Sequence, residues 1–215
     1  MKSICVPGWK NFKTRRQAMS KQVEFYYDFG SPYSYLAFCH LPKVAEKTGA
    51  EIVWRPMLLG GVFQATHNAS PMEVPAKASH LQADLRRWAA YFDVPFEMNP
   101  FFPINTLALM RGATALQMKG DEEAFDRYNA AIYAAMFETP RNLNQPEEIG
   151  KVLHAAGFDP AQVLAMVNDQ AVKDKLKVDT TAAVMRGVFG APTFFVGDQM
   201  FWGQDRLHFV EQALM

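Results

Sequence analysis

Ser31-Pro32-Tyr33-Ser34 sets two hydroxyls three residues apart, behind a strand-like run and ahead of a helix-like one. Serine oxygen has no thiol–disulfide chemistry, so the pair cannot shuttle electrons. A helix start offers another use. Its first N–H groups lack intrahelical partners and its dipole end is positive, which favours an anion. A hydroxyl there can donate to a thiolate brought by a ligand. It can equally accept from its own helix as an N-cap, with Pro32 at the first helical position, where a missing N–H costs nothing.

Two more segments carry chemistry. Val188-Phe-Gly-Ala-Pro-Thr193 places a proline after a small residue at the mouth of a strand. A cis bond before Pro192 would turn the Ala191 N–H and C=O outward to pair with an extended peptide backbone. The plainer reading is a turn proline opening an edge strand. Met200-Phe-Trp-Gly-Gln-Asp-Arg206 brings Gln204 and Asp205 to the start of the last expected helix. N–H groups there can hold a carboxylate, and Asp205 can pair with an ammonium. An α-amino acid head group presents both charges, as does the γ-glutamyl end of glutathione. The plainer reading makes Asp205 an N-cap, with Arg206 solvated.

Composition narrows the classes. The chain has 215 residues, 49% hydrophobic and 20% charged, with 22 basic and 22 acidic side chains. A sizeable core is affordable at that length without disulfides or metal. A balanced charge gives no pull toward phosphate backbones, so nucleic acid is not expected as a partner. No apolar run is long enough for a membrane helix. Residues 1–20 hold five Lys and Arg but no apolar stretch of a secretory signal. They are read as a tail, disordered or preceding the true start, with Met19-Ser20-Lys21 as an alternative beginning. Cys5 and Cys39 form no C-x-x-C pair. A cytoplasmic setting is expected.

The elements that must position these residues follow from periodicity. Residues 22–28 alternate as a strand, with Val23, Phe25 and Tyr27 apolar. A helix runs from Pro32 to Lys47, ended by Gly49 and kinked near Cys39 and His40 by Pro42. Ile52–Trp54 is a second strand, making a βαβ unit with a parallel pair. Gly60 to Pro75 reads as loop. Helical periodicity then covers 75–92, 104–119, 121–137, 146–156, 160–167 and 170–186. Strands return at Thr193–Val196 and Met200–Trp202, joined through Gly197-Asp198, and a helix over Asp205–Leu214 closes the chain. The expected fold is α/β, a thioredoxin-like sheet interrupted by a large all-helical insertion domain. Residues 21–66 and 187–215 make the first part and 67–186 the insertion.

With these pieces together, the chain resembles the 2-hydroxychromene-2-carboxylate isomerase family, related to kappa-class glutathione transferases and more distantly to DsbA oxidoreductases. The resemblance rests on F-Y-Y-D-F-G-S-P-Y-S-Y at 25–35, W-R-P-M-L-L-G-G at 54–61, G-A-P-T-F-F-V-G at 190–197 and F-W-G-Q-D-R-L at 201–207. It covers residues 22–214. What it implies is glutathione as cofactor, with Ser31 as the catalytic serine beside its sulfur. Asn68 and Lys77 match loop positions that reach glutathione in the kappa-class relatives. Ala191 and Pro192 match the backbone clamp on its cysteinyl unit. Gln204 and Asp205 match the γ-glutamyl pair, although relatives often carry serine or asparagine in place of Gln204. The implied reaction interconverts 2-hydroxychromene-2-carboxylate and trans-o-hydroxybenzylidenepyruvate, or a close aromatic analogue, in aromatic hydrocarbon degradation. The resemblance also implies a homodimer.

Substrate contacts are expected around residues 99–106, including Asn105. Tyr33 and Trp202 are candidate walls, and Lys77 or Arg111 a cation for the substrate carboxylate. Two rivals remain: a kappa-like transferase with another substrate, and a redox-inactive thioredoxin-like module that clamps peptides. Cys39 reads as a packing cysteine. The five histidines have no metal-ligand spacing, so no metal is expected.

Overall fold

The computed structural model describes residues 21–215; the tail reading and Cys5 lie outside that range. The chain runs β1 (Gln22–Tyr27), α1 (Pro32–Thr48), β2 (Glu51–Pro56), α2 (Leu59–Thr66), α3 (Pro75–Phe92), α4 (Leu107–Lys119), α5 (Glu122–Phe137), α6 (Pro146–Ala155), α7 (Pro160–Asn168), α8 (Gln170–Met185), β3 (Thr193–Val196), β4 (Gln199–Trp202) and α9 (Leu207–Leu214). Short 3-10 turns sit at Pro71–Glu73 and Gln204–Arg206.

The four strands lie in the order β2-β1-β3-β4. β1 and β2 are parallel, joined over α1, and β3 and β4 add as an antiparallel hairpin. The alternation in β1 sends Val23, Phe25 and Tyr27 to one face, all with no exposure. Phe25 stacks on Phe194 of β3 at 5.2 Å between ring centres, and full burial of such a side chain stabilises by roughly 1.5–3 kcal/mol. That face meets Leu36 and Leu41 of α1, Ile132 and Tyr133 of α5, and Val210 and Leu214 of α9. The other face gathers Tyr26, Met57, Val62, Ala183, Val188 and Phe195, and so takes α2 and α8. Helices α3 to α8 form the insertion between the βαβ unit and the hairpin.

Local signals account for most boundaries. Ser31 caps α1, Pro32 stands at its first position, and Gly49 ends it with φ +67°. The helix continues through Pro42. Two expectations need correction. Gly60 and Gly61, read as loop, lie inside α2. A β-carbon at Gly61 would stand 3.3 Å from Thr180 Cγ2, so this glycine marks the close approach of α2 to α8. The start of α2 is held by remote side chains: Thr180 Oγ1 accepts the Leu58 N–H at 3.0 Å and Asp28 Oδ2 the Leu59 N–H at 2.7 Å. Sequence periodicity cannot register such partners. The last helix starts at Leu207, not Asp205, because Gly203 to Arg206 first close a 3-10 turn through Arg206 N–H to Gly203 O at 3.1 Å.

Candidate active site

The turn after β1 sets the first half of the site. Gly30 N–H donates to Asp28 Oδ1 at 2.8 Å and Ser31 N–H to the Asp28 carbonyl at 3.0 Å. Asp28 is fully buried, and besides Gly30 and Leu59 it receives the Thr106 side chain at the start of α4. Burial pushes its carboxyl up, against three hydrogen bonds that favour the ionised form. One carboxylate thereby ties the Ser31 turn to α2 and to the insertion.

Ser31 keeps 5% of its exposure. Its Oγ accepts the Ser34 N–H at 3.1 Å and donates to the Ala191 carbonyl at 3.1 Å. The capping role and the facing of the proline loop therefore hold together. The first turn of α1 can be counted through. Pro32 has no N–H, the Ser34 N–H goes to Ser31 Oγ, and the Tyr35 N–H goes to Ser31 O at 3.1 Å. Among the described residues the Tyr33 N–H has no acceptor, and it is left as a free donor toward an anion. The Ser34 side chain turns inward: it has no exposure, and its hydroxyl lies against the buried Tyr133 phenol.

The second half is the loop before β3. The Ala191–Pro192 bond is cis. Thr193 Oγ1 donates to Gly190 O at 2.8 Å, and Gly203 N–H to Pro192 O at 3.0 Å, which brings the turn bearing Gln204 and Asp205 against the proline. Asn68, just past α2, donates from Nδ2 to Phe189 O at 3.0 Å. Trp202 packs on Phe189 with ring centres 5.0 Å apart, and a β-carbon on Gly190 would lie 2.6 Å from its indole nitrogen. Trp202 is half-exposed.

Gln204 is 5% exposed, and its side chain makes no hydrogen bond among the described residues. Asp205 does not cap α9; its Oδ2 pairs with Arg206 at 2.8 Å. Gly203 has φ +103°, and a β-carbon there would meet Asp205 Oδ1 at 2.4 Å, so glycine is required for this carboxylate to fold back over the turn. Tyr33 donates to Asp84 Oδ2 of α3 at 2.9 Å. Burial, then the bond to Asp84, then the charges of Asp84 and Asp205 push its phenol up. Asp205 thus lies within electrostatic reach of Tyr33.

Of the expected residues, Ser31, Ala191, Pro192, Asn68, Gln204 and Asp205 gather around one loop, and Tyr33 and Trp202 border it. Lys77, Asn105 and Arg111 make no hydrogen bond or ion pair with that group. Lys77 is exposed in the first turn of α3 and pairs with no carboxylate among the described residues. Asn105 helps begin α4, its Oδ1 accepting the Leu107 N–H at 3.1 Å. Arg111, on α4, has a buried Nε without a partner and no ion pair among the described residues. Cys39 packs against the core, and burial, opposed by the Tyr35 hydroxyl, pushes its thiol up to about 11, so it is a packing thiol at neutral pH. Sequence reasoning missed Asp28, Asp84 and Phe189. Asp28 had a signal, a lone acid between an apolar strand and the S-P-Y-S turn. Asp84 had none, since its role needs α3 folded over α1.

Residues 22–215 match the family model described as a DSBA-like thioredoxin domain. The chain is 35% identical over 199 residues to 2-hydroxychromene-2-carboxylate isomerase of Sphingobium xenophagum, across 92% of this chain and 100% of that protein. Glutathione S-transferase kappa 1 of Caenorhabditis elegans is 27% identical over 205 residues, 90% of each chain. The solved structure of a 2-hydroxychromene-2-carboxylate isomerase superposes with a TM-score of 0.80 at 30% identity, covering 90% of this chain and 94% of that one.

Proposed function

The chain belongs to the DSBA-like thioredoxin domain family and, within it, to the 2-hydroxychromene-2-carboxylate isomerases; from that premise we propose that this isomerase uses glutathione to interconvert 2-hydroxychromene-2-carboxylate and trans-o-hydroxybenzylidenepyruvate or a close aromatic analogue. The observation that carries the reading is the Ser31 hydroxyl, 3.1 Å from the Ala191 carbonyl at the start of α1, in a turn with no sulfur.

The residues present suit the tripeptide. Gln204 offers a side-chain amide that makes no hydrogen bond among the described residues, and Asp205 a carboxylate for the γ-glutamyl ammonium. Ala191 offers backbone to the cysteinyl unit, and Asn68 and Lys77 are the candidates for the far end. When bound, glutathione would supply a thiolate that adds reversibly to the conjugated double bond, leaving a single bond free to rotate before elimination restores it. Ser31 and the Tyr33 N–H hold the negative charge on sulfur at the positive end of α1. Arg111, a cation with an unspent buried Nε, is the candidate to receive the substrate carboxylate. Tyr33, tied to Asp84, and the half-exposed Trp202 are candidate walls for the aromatic ring. The proposal extends to a cytoplasmic homodimer with residues 67–186 as its insertion domain.

Purified protein mixed with 2-hydroxychromene-2-carboxylate is expected to accelerate formation of the benzylidenepyruvate only when glutathione is present, with S-methylglutathione unable to replace it. Equal acceleration without any thiol would overturn the proposal. Consumption of glutathione into a stable conjugate would instead favour a kappa-like transferase.

A further inference from the structure

We propose that the Ala191 carbonyl holds the Ser31 hydroxyl in reserve, and that only a thiol bearing a neighbouring peptide N–H releases it to sulfur. The site would then select peptidic cysteine over simple thiols. This rests on the reading that the site takes glutathione.

A serine hydroxyl has one proton and can donate once. Ser31 Oγ already accepts the Ser34 N–H, and its own proton points to Ala191 O at 3.1 Å. Carbonyl oxygen has no proton to give, so the direction of that bond is fixed by chemistry. A sulfur arriving alone meets only the Tyr33 N–H. The Ser31 N–H is spent on Asp28 O, the Ser34 and Tyr35 N–H groups on Ser31, and Pro32 has none. Turning the hydroxyl to that sulfur would strip the half-buried Ala191 carbonyl of its donor, which offsets part of what the sulfur gains.

A cysteinyl residue changes the balance, because it carries its own N–H next to its thiol. Once that N–H donates to Ala191 O, the carbonyl keeps a donor when the hydroxyl rotates about the Cβ–Oγ bond toward the charged sulfur, which is the stronger acceptor. No backbone has to move, and the Ser34 N–H stays capped. The selectivity is thus built from two hydrogen bonds sharing one oxygen.

The chain has a convenient reporter. Ala191–Pro192 is the only Ala-Pro step in the 215 residues, so labelling alanine carbonyl carbon with 13C and proline nitrogen with 15N isolates the Ala191 carbonyl resonance. In the free protein, Ser31→Ala is expected to move this line upfield, since the carbonyl loses its donor. At saturating glutathione the wild-type and variant lines are expected to converge, because the ligand N–H holds the carbonyl in both. With 2-mercaptoethanol the wild-type line is expected to stay in place. Ser31→Gly, which keeps a good capping residue type, gives the same readout should the alanine variant fold poorly. A difference between wild type and variant that persists undiminished under saturating glutathione would show Ser31 still on Ala191 and overturn the inference alone. Glutathione that leaves both lines unmoved at millimolar concentration would overturn the glutathione reading and this inference with it.

Discussion

Replacing Ser31 with alanine is expected to raise the pKa of a bound thiol by about one to two units. A hydrogen bond to a charged acceptor contributes about 1.5–3 kcal/mol, and about 1.36 kcal/mol corresponds to one pKa unit. A free cysteine thiol ionises near ~8.5; with the variant's bound thiol there and the wild type's about one to two units lower, the thiolate population at neutral pH, and turnover with it, falls about 8–25-fold. The variant also frees the Ser34 N–H, which can turn to the sulfur and hold the effect toward the lower end. Loss of the cap costs the fold about 1 kcal/mol, too little to account for lost turnover. The check is the pH titration of bound thiolate by its ultraviolet absorbance in wild type and variant, beside turnover at saturating ligand. A thiol pKa unmoved by the substitution would remove Ser31 from the chemistry and leave it as a helix cap.

Gly112→Ala is expected to destabilise the protein by about 2–5 kcal/mol, the displaced Tyr128 pressing on Phe29 in the turn before Ser31. A β-carbon at position 112 would lie 2.1 Å from the Tyr128 hydroxyl oxygen and 2.5 Å from its Cζ. Tyr128 is 1% exposed, its hydroxyl donates to Leu109 O at 2.9 Å, and its ring sits edge-on against Phe29 and Phe158. The ring has nowhere to retreat. Overpacking costs about 1–3 kcal/mol, and a displaced phenol left buried without its acceptor adds about 1–3 more. Against this, alanine gains up to about 1 kcal/mol of helix propensity over glycine. At about 2–4 °C per kcal/mol for a chain of this size, the midpoint of thermal unfolding should fall by roughly 4–20 °C. Adding Tyr128→Phe should recover only part of the loss, because the contact at Cζ remains. A change below about 0.5 kcal/mol would mean that α4 and α5 are not packed at Gly112 as described.

The two substitutions separate what the sequence reveals from what it hides. The Ser31 turn was legible because strand alternation, a hydroxyl, a proline and a closing glycine lie within one stretch of chain and each has a local physical meaning. The hairpin at 193–202 and the long insertion helices were legible for the same reason. Nothing in the sequence around Gly112 announces its constraint, since its partner Tyr128 lies on the next helix. Gly60 and Gly61 misled in the same way, as the groups that cap and crowd α2 come from Asp28 and Thr180. In the site, Ala191, Gln204 and Asp205 were legible as candidates from a proline at the mouth of a strand and a polar pair near the start of a helix, and the resemblance only added the ligand they would hold. Asp84 and Phe189 act only through contacts across the fold, and no spacing announces them. The reach of Lys77, Asn105 and Arg111 toward a substrate depends on insertion packing, which periodicity does not encode.

The most direct test of the central claim is to titrate glutathione into the wild-type protein below the thiol's ordinary pKa of about 8.5 and follow thiolate absorbance in the ultraviolet. The account predicts a saturable rise in thiolate absorbance, meaning that bound glutathione ionises at a pH where the free tripeptide remains mostly protonated. Glutathione at millimolar concentration that produces no thiolate signal would contradict it, and would leave the Ser31–Ala191 pair as architecture without its cofactor.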